Sequence, residues 1–307
     1  MLSESQKGLL AAVTANIIFG VNTSISKSLF SGNWMSPIGY TLTRAIFGII
    51  IFWTLSFLTG REKVAIRDLL MILFGGIIGM AVTQLTFFLA LQNTTPVTMS
   101  LLNALGPIVV LLLSALLLKD PVTIKKAIGV IIGISGAALV VLKSGSSGAS
   151  SNTALGISLA MVSLICNSIY LIMIRKIAVK YNPITMVKWM FLVSAIVLSP
   201  FGISGMMKQR IFSPEVTLAA FLQFGYIMVV TGIIGLLLIP TALKRTKPTI
   251  VSMCTNIQLL VTSLTSIIIG QDRFSWDKPV ALILVISGVI IVTQSKAGKN
   301  SIRSANY

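Results

Sequence analysis

Laid over itself with a shift of 152 residues, the chain repeats: Ala90-Leu91 falls on Ala242-Leu243, and Thr94, Pro96 and Ser100 fall on Thr246, Pro248 and Ser252. Asp120 meets Asp272, Lys126 meets Lys278, and Ser135-Gly136 meets Ser287-Gly288. The register runs without a gap over about fifty residues. The repeated unit is almost wholly apolar, so each copy must find an apolar surrounding for its surface, and that requirement decides what the chain can fold into.

Hydrophobic residues fill 55% of the 307 positions, charged residues only 10%, and mean hydropathy is +0.96. Soluble domains carry about 25% charged residues, so the solvent of this chain is lipid. Stretches long enough to cross a bilayer predict ten transmembrane helices, at 8–29, 36–58, 68–91, 97–118, 126–142, 155–175, 183–205, 217–243, 249–269 and 279–295. The fold class expected is all-α integral membrane. Residues 8–29 are too long for a signal-peptide core and read as the first span. Cys166 and Cys254 fall inside predicted spans and read as packing residues. With no histidine and no phosphate-binding glycine loop in the sequence, no catalytic constellation, metal site or cofactor site is apparent. The chain does not read as an enzyme.

A net charge of +17 invites a nucleic-acid reading, but the placement of the cations argues against it. Of 24 Lys and Arg, sixteen fall in the tails and in the loops that share a side with them, six on the other side, and two, Arg44 and Lys188, inside spans. By the positive-inside rule both termini are cytoplasmic. The excess is a topology signal and a handle on anionic lipids, with no nucleic-acid partner implied. Five spans per copy then carry the chain across the bilayer, so the second copy enters inverted. The expected organisation is 5+5: a first five-helix repeat at 1–143, an outer Gly/Ser linker at 144–153, a second, inverted repeat at 154–296, and a cytoplasmic tail at 297–307.

The run Asn16-Ile-Ile-Phe-Gly-Val-Asn22 followed by Lys27, the run Leu42-Thr-Arg-Ala-Ile-Phe47, and the stretch from Phe87 through Thr95-Pro96 to Asp120 carry a resemblance. Over essentially its whole length the chain resembles EamA-type members of the drug/metabolite transporter superfamily. Where that family usually has Gly-Glu, this chain has Lys119-Asp120 and Gln271-Asp272, and Phe19 stands where a tryptophan is usual. The resemblance implies a multi-pass carrier in a bacterial inner membrane. The first four helices of each repeat would enclose a central cavity, one repeat rocking against the other. It implies transport of small metabolites such as amino acids, often outward. It also leaves open flippase-like movement of a lipid-linked substrate, and a monomer or a homodimer.

The candidate substrate contacts are the polar residues within spans. Arg44 lies seven residues past Pro37, about 10 Å into the membrane. An Arg facing lipid is costly, so a cavity position, with its fork on a carboxylate, is favoured over snorkelling to the headgroups. Lys188 lies five residues past Pro183, where snorkelling and a substrate role are equally consistent. Asn16, Asn22, Gln84 and Asn103 in the first copy, and Asn167, Asn256 and Gln258 in the second, offer amides that both donate and accept. Tyr40 and Trp189 neighbour the two cations. Together these suit a zwitterionic or anionic metabolite, the alternative being interhelical hydrogen bonding. All seven acidic residues fall in tails, loops or span edges, so a proton relay through a buried carboxylate is not expected, and uniport or exchange is. Gly75-Gly-Ile-Ile-Gly79 and Gly129-Val-Ile-Ile-Gly133 read as close-packing faces within a repeat, with a dimer contact as the weaker option. Pro107, Pro200 and Pro240 predict kinks. Leu259 replaces Pro107 in the second copy, which predicts unlike bends in the two halves.

Overall fold

A computed structural model describes residues 3–58, 62–118, 123–146, 153–246, 248–272 and 276–294. The centre of the expected linker (147–152) and the tail (297–307) lie outside the described residues, and so does Asp120. Among the described residues the chain is helical throughout, with no strand. In order the helices are α1 (Glu4–Ser31), α2 (Pro37–Leu58), α3 (Ile66–Asn93), α4 (96–118), α5 (Ile124–Ser146), α6 (Thr153–Ala178), α7 (Pro183–Met207), α8 (Leu218–Arg245), α9 (248–268) and α10 (Asp277–Gln294). Eight of them are long and apolar enough to cross a membrane. The apolar stretches of the other two, Ala127–Gly136 in α5 and Pro279–Gly288 in α10, are shorter.

The helix starts follow from local chemistry. Pro37 opens α2, Pro96 opens α4 and Pro183 opens α7, each at a position where the missing N–H costs nothing. Thr95, Asn182 and Thr217 accept hydrogen bonds from first-turn N–H groups of α4, α7 and α8, and Ser3 and Gln6 form a capping box on α1.

Four helices are irregular in the middle. α3 widens to a π-helix at Ile77–Val82 and α8 does so at Tyr226–Gly235; on the 152-residue register the first stretch falls inside the second. α4 is interrupted at Ala104-Leu105, just before Gly106-Pro107, and α9 at Cys254. Both halves are therefore interrupted at nearly matching places, although only one has a proline there. Pro200 sits within the continuous helix α7, and Pro240 lies in α8 beyond its π stretch. Carbonyls loosened by a π turn must find other donors. The Ile78 carbonyl accepts from Thr83 Oγ1 at 2.7 Å, and the Thr83 carbonyl, just past the stretch, accepts from Ser163 Oγ on α6 at 2.9 Å.

Packing joins one half of the chain to the other. α2 lies along α7, and α5 along α10. α3 packs on α6 as α8 packs on α1, and α4 packs on α6 as α9 packs on α1. Exchanging α1–α5 with α6–α10 leaves this set of partners unchanged. The Gly75–Gly79 face serves these contacts between halves, while Gly133 of the second face also packs inside its own repeat, as expected, where a Cβ would meet the Ile108 side chain. A Cβ on Gly76 would meet Val193 at 2.6 Å, and one on Gly79 would meet the Tyr170 ring at 2.4 Å.

Two repeat-related clamps sit at opposite ends of the bundle. Lys27 Nζ donates to the carbonyls of Leu91, Gln92 and Thr94 at 3.0, 3.0 and 2.8 Å, capping α3. Arg175 Nη1 donates to the carbonyl of Leu243, the counterpart of Leu91, at the end of α8. A cation at a helix C-terminus satisfies orphan carbonyls and the helix dipole together. At the Arg175 end, Arg245 bonds Glu4 at 2.9 Å, Tyr181 and Lys180 bond Asp68 at 2.8 and 3.2 Å, and the Asn182 N–H bonds Glu62 at 3.0 Å. The N-terminus and the α2–α3, α6–α7 and α8–α9 connections thus share one cation-rich end.

The contact of α10 on α5 is backbone on backbone: a Cβ on Gly288 would lie 2.5 Å from both the Gly129 carbonyl oxygen and the Gly133 nitrogen. Gly288→Val should therefore prise α10 from α5 and cost about 2 kcal/mol, the usual scale of overpacking. Gly225→Ala, which meets nothing within 4 Å, should leave thermal unfolding in detergent unchanged. Equal midpoints for the two variants would contradict the contact.

Candidate functional site

The interrupted and widened helices surround a central cavity of about 130 Å³. Its polar wall comes from both halves: Asn16, Asn22 and Thr23 on α1, Arg44 on α2, Thr83 and Gln84 on α3, and Asn103 on α4. From the other half come Ser163 and Asn167 on α6, with Ser252, Thr255 and Gln258 on α9. The apolar wall is Phe19, Phe87, Phe88, Tyr170, Leu171, Leu236, Ile239 and Val251, with Met80 and the backbone at Gly79. Gly79 and Met80 belong to the π stretch of α3, and Asn103 and Thr255 flank the breaks in α4 and α9. The irregular backbone of three helices thus lines the cavity, the setting in which such backbone is tolerated at membrane depth.

Among the described residues, Arg44 is the one charged residue on this wall. Its side chain is held inside the bundle, with the residue only 4% exposed. Nη1 donates to Gln84 Oε1 at 3.3 Å, while Nε and Nη2 are buried with no acceptor. Its partner is neutral, and no Asp or Glu among the described residues lines the cavity. Gly232 on α8 lies opposite the stem, where a Cβ would be in ordinary contact with Arg44 Cγ at 3.9 Å.

Tyr40 stands one turn before Arg44, fully buried behind the wall. Its hydroxyl donates to Asn22 Oδ1 at 3.1 Å and accepts from Ser26 Oγ at 3.0 Å, and its ring packs on Phe88 with centroids 4.4 Å apart. Tyr40 therefore orients Asn22 from behind. Asn16 spends its amide on its own helix, donating to the Ala12 carbonyl at 2.8 Å.

Seven of the ten residues singled out from the sequence lie on this one cavity: Asn16, Asn22, Arg44, Gln84, Asn103, Asn167 and Gln258. Tyr40 supports it from behind. Asn256 is outside the lining, its Oδ1 buried without a partner. Lys188 is elsewhere, at the cation-rich end, with Ser56 Oγ at 2.7 Å and the faces of Trp53 and Trp189 beside it. The hydroxyls of Thr23, Thr83, Ser163, Ser252 and Thr255 are lining groups that polarity alone did not single out. Those of Thr83 and Thr255 bond backbone carbonyls of their own helices, the ordinary state of such residues in any membrane helix.

No group of histidine, cysteine or acidic side chains fit to hold a metal occurs among the described residues. The acids bond elsewhere: Glu4, Glu62 and Asp68 at the cation-rich end, and Glu215 beside Arg210 at 4.0 Å. What the cavity offers is one fixed positive charge with spare donors, a set of neutral amides and hydroxyls, and aromatic and aliphatic surface.

Comparison with known proteins agrees with this architecture. The model of the EamA-like transporter family matches twice, over residues 6–142 and 154–294. An uncharacterized transporter of Archaeoglobus fulgidus is 30% identical over 172 residues, a match covering 56% of this chain and 59% of the relative. The uncharacterized transporter YyaM of Bacillus subtilis is 22% identical over 302 residues, 95% of this chain and 93% of the relative. A solved crystal structure shares the fold with a TM-score of 0.65 at 18% identity, covering 93% of this chain and 96% of the other. With both family matches in place, almost end to end, the chain belongs to the EamA-like transporter family.

Proposed function

We propose that the protein is a secondary carrier for small metabolites bearing a carboxylate or similar anionic group, amino acids among them. It works by alternating access of two inverted five-helix halves in the bacterial inner membrane. The observation that carries this reading is Arg44, buried in the central cavity with two donor groups unspent and no acid facing it. An isolated cation inside a bundle is costly, and a guanidinium fork matches a carboxylate in shape and charge. An anionic solute supplies the missing partner, while the amides and hydroxyls hold its remaining polar groups and the phenyl rings its apolar body.

Support for the inverted halves comes from three sources. Helix contacts keep their pattern when the halves are exchanged, the π stretches agree in register, and the Lys27 and Arg175 clamps sit at opposite ends. The cavity is lined by seven helices, an enclosure that favours a soluble solute over a lipid-linked one. The absence of any acid from its described lining favours uniport or exchange over proton coupling.

In proteoliposomes, Arg44→Gln should weaken counterflow of carboxylate solutes by at least about tenfold, the scale of one lost charge-assisted bond. Neutral analogues should be affected far less. Arg44→Lys should recover part of the loss, because it restores the charge without the fork. Equal loss for charged and neutral solutes would make Arg44 structural and defeat the reading.

Counterflow of the same solute should persist when a protonophore collapses the pH gradient. Strict dependence on that gradient would contradict uncoupled transport.

A further inference from the structure

A second pocket, of about 460 Å³, opens at the cation-rich end between α2, the start of α3 and the start of α7. Lys188 lies in it, only 6% exposed, donating to Ser56 Oγ at 2.7 Å. The Nζ atom stands 5.3 and 5.8 Å from the ring centres of Trp53 and Trp189, which meet edge to face at 5.3 Å. The Trp53 indole N–H is buried with no acceptor. Lys63 adds a second cation to the lining, and Glu62, the acid there, accepts a hydrogen bond from the Asn182 N–H. None of these residues lines the central cavity.

The pocket therefore presents donors and positive charge on an aromatic floor, and its rim is greasy. Phe57 lines it, and Leu58, Ile66 and Leu70 beside it stay exposed on the helix surface. Tryptophan paired with lysine at a helix end is the chemistry of the bilayer interface. A free anion would use the donors and leave the apolar rim idle. A lipid uses both, with its phosphate on Lys188 and Trp53 and its acyl chain along the rim. In the Pro37/Pro183 register the first-half counterpart of Lys188 is Leu42, so the duplicated scaffold provides this cation once.

We infer that this pocket is a binding site for the phosphate headgroup of an anionic phospholipid in the leaflet facing the cation-rich end. The lipid bridges α2 and α7, one of the pairs on which the two halves meet, and so steadies that seam.

Native mass spectrometry of the detergent-purified protein titrated with phosphatidylglycerol tests this directly, with soluble glycerol phosphate as the competitor. Lys188→Met should weaken the first lipid adduct about tenfold, as for loss of a charge-assisted bond, and Lys188→Arg should stay within about threefold of the parent by keeping the charge. Glycerol phosphate at millimolar concentration should not displace the lipid. Parent-like lipid affinity in Lys188→Met would overturn the site. If that variant does not yield folded protein, Trp53→Phe, which removes only the indole N–H, is read in its place, and parent-like affinity there overturns the site equally. Displacement by glycerol phosphate would show a soluble-phosphate site and overturn the lipid assignment.

Discussion

A guanidinium enclosed by apolar helices, with two of its donors unspent, is the constraint around which the rest of this protein is arranged. Arg44 cannot be stripped of its proton and is expensive to leave alone in a low-dielectric surrounding. The chain surrounds it with neutral dipoles, Gln84 in contact and the other amides and hydroxyls around the same cavity, and supplies no acid. Neutral dipoles reduce the cost of the charge without cancelling it, and it is on this remainder that the proposed anionic solute would bind. Building such a cavity requires helices that depart from ideal geometry where they border it. The π stretch of α3 and the interruptions of α4 and α9 meet that need.

Scaffold and chemistry obey different symmetries. The packing partners, π stretches and terminal clamps recur in both halves, as two copies of one unit would dictate. The charges do not: Arg44 and Lys188 each occur once, and they serve different places. Arg44 faces the shared interior, where both halves contribute the wall. Lys188 sits in the separate pocket between α2 and α7, where two tryptophans and a serine surround it. In the proposed function, symmetric packing would let the two halves rock against each other, and unsymmetric charge would give the cavity a cargo preference that identical halves would not supply.

Much of this was legible in the sequence because lipid makes polarity conspicuous. Asn16, Gln84, Asn103 and Asn167 stand out in apolar spans for the reason that they line the cavity: an amide facing acyl chains would be left unpaired. The repeat register likewise anticipated that Leu91 and Leu243 occupy equivalent helix ends, though not that Lys27 and Arg175 cap them. Aromatic wall residues such as Phe87 and Phe88 carry no signal, since a phenyl ring is as much at home in lipid as in a cavity. The break at Cys254 has no proline to announce it. Lys188 stayed open between two readings because span depth alone gives no account of which neighbouring helix supplies the partner; Trp53 and Ser56 come from a distant part of the chain.

The central claim is that position 44 faces an aqueous, anion-attracting cavity and not lipid. In a background with Cys166 and Cys254 replaced by alanine, the rate at which Arg44→Cys reacts with a small charged thiol reagent tests it most directly. Ile50→Cys on the exposed face of the same helix serves as the lipid-facing reference. Labelling at least about tenfold faster at position 44, slowed by a carried solute, is the predicted result, because thiol reaction needs water and access. Labelling no faster than at position 50, or unaffected by every solute transported, would contradict the account.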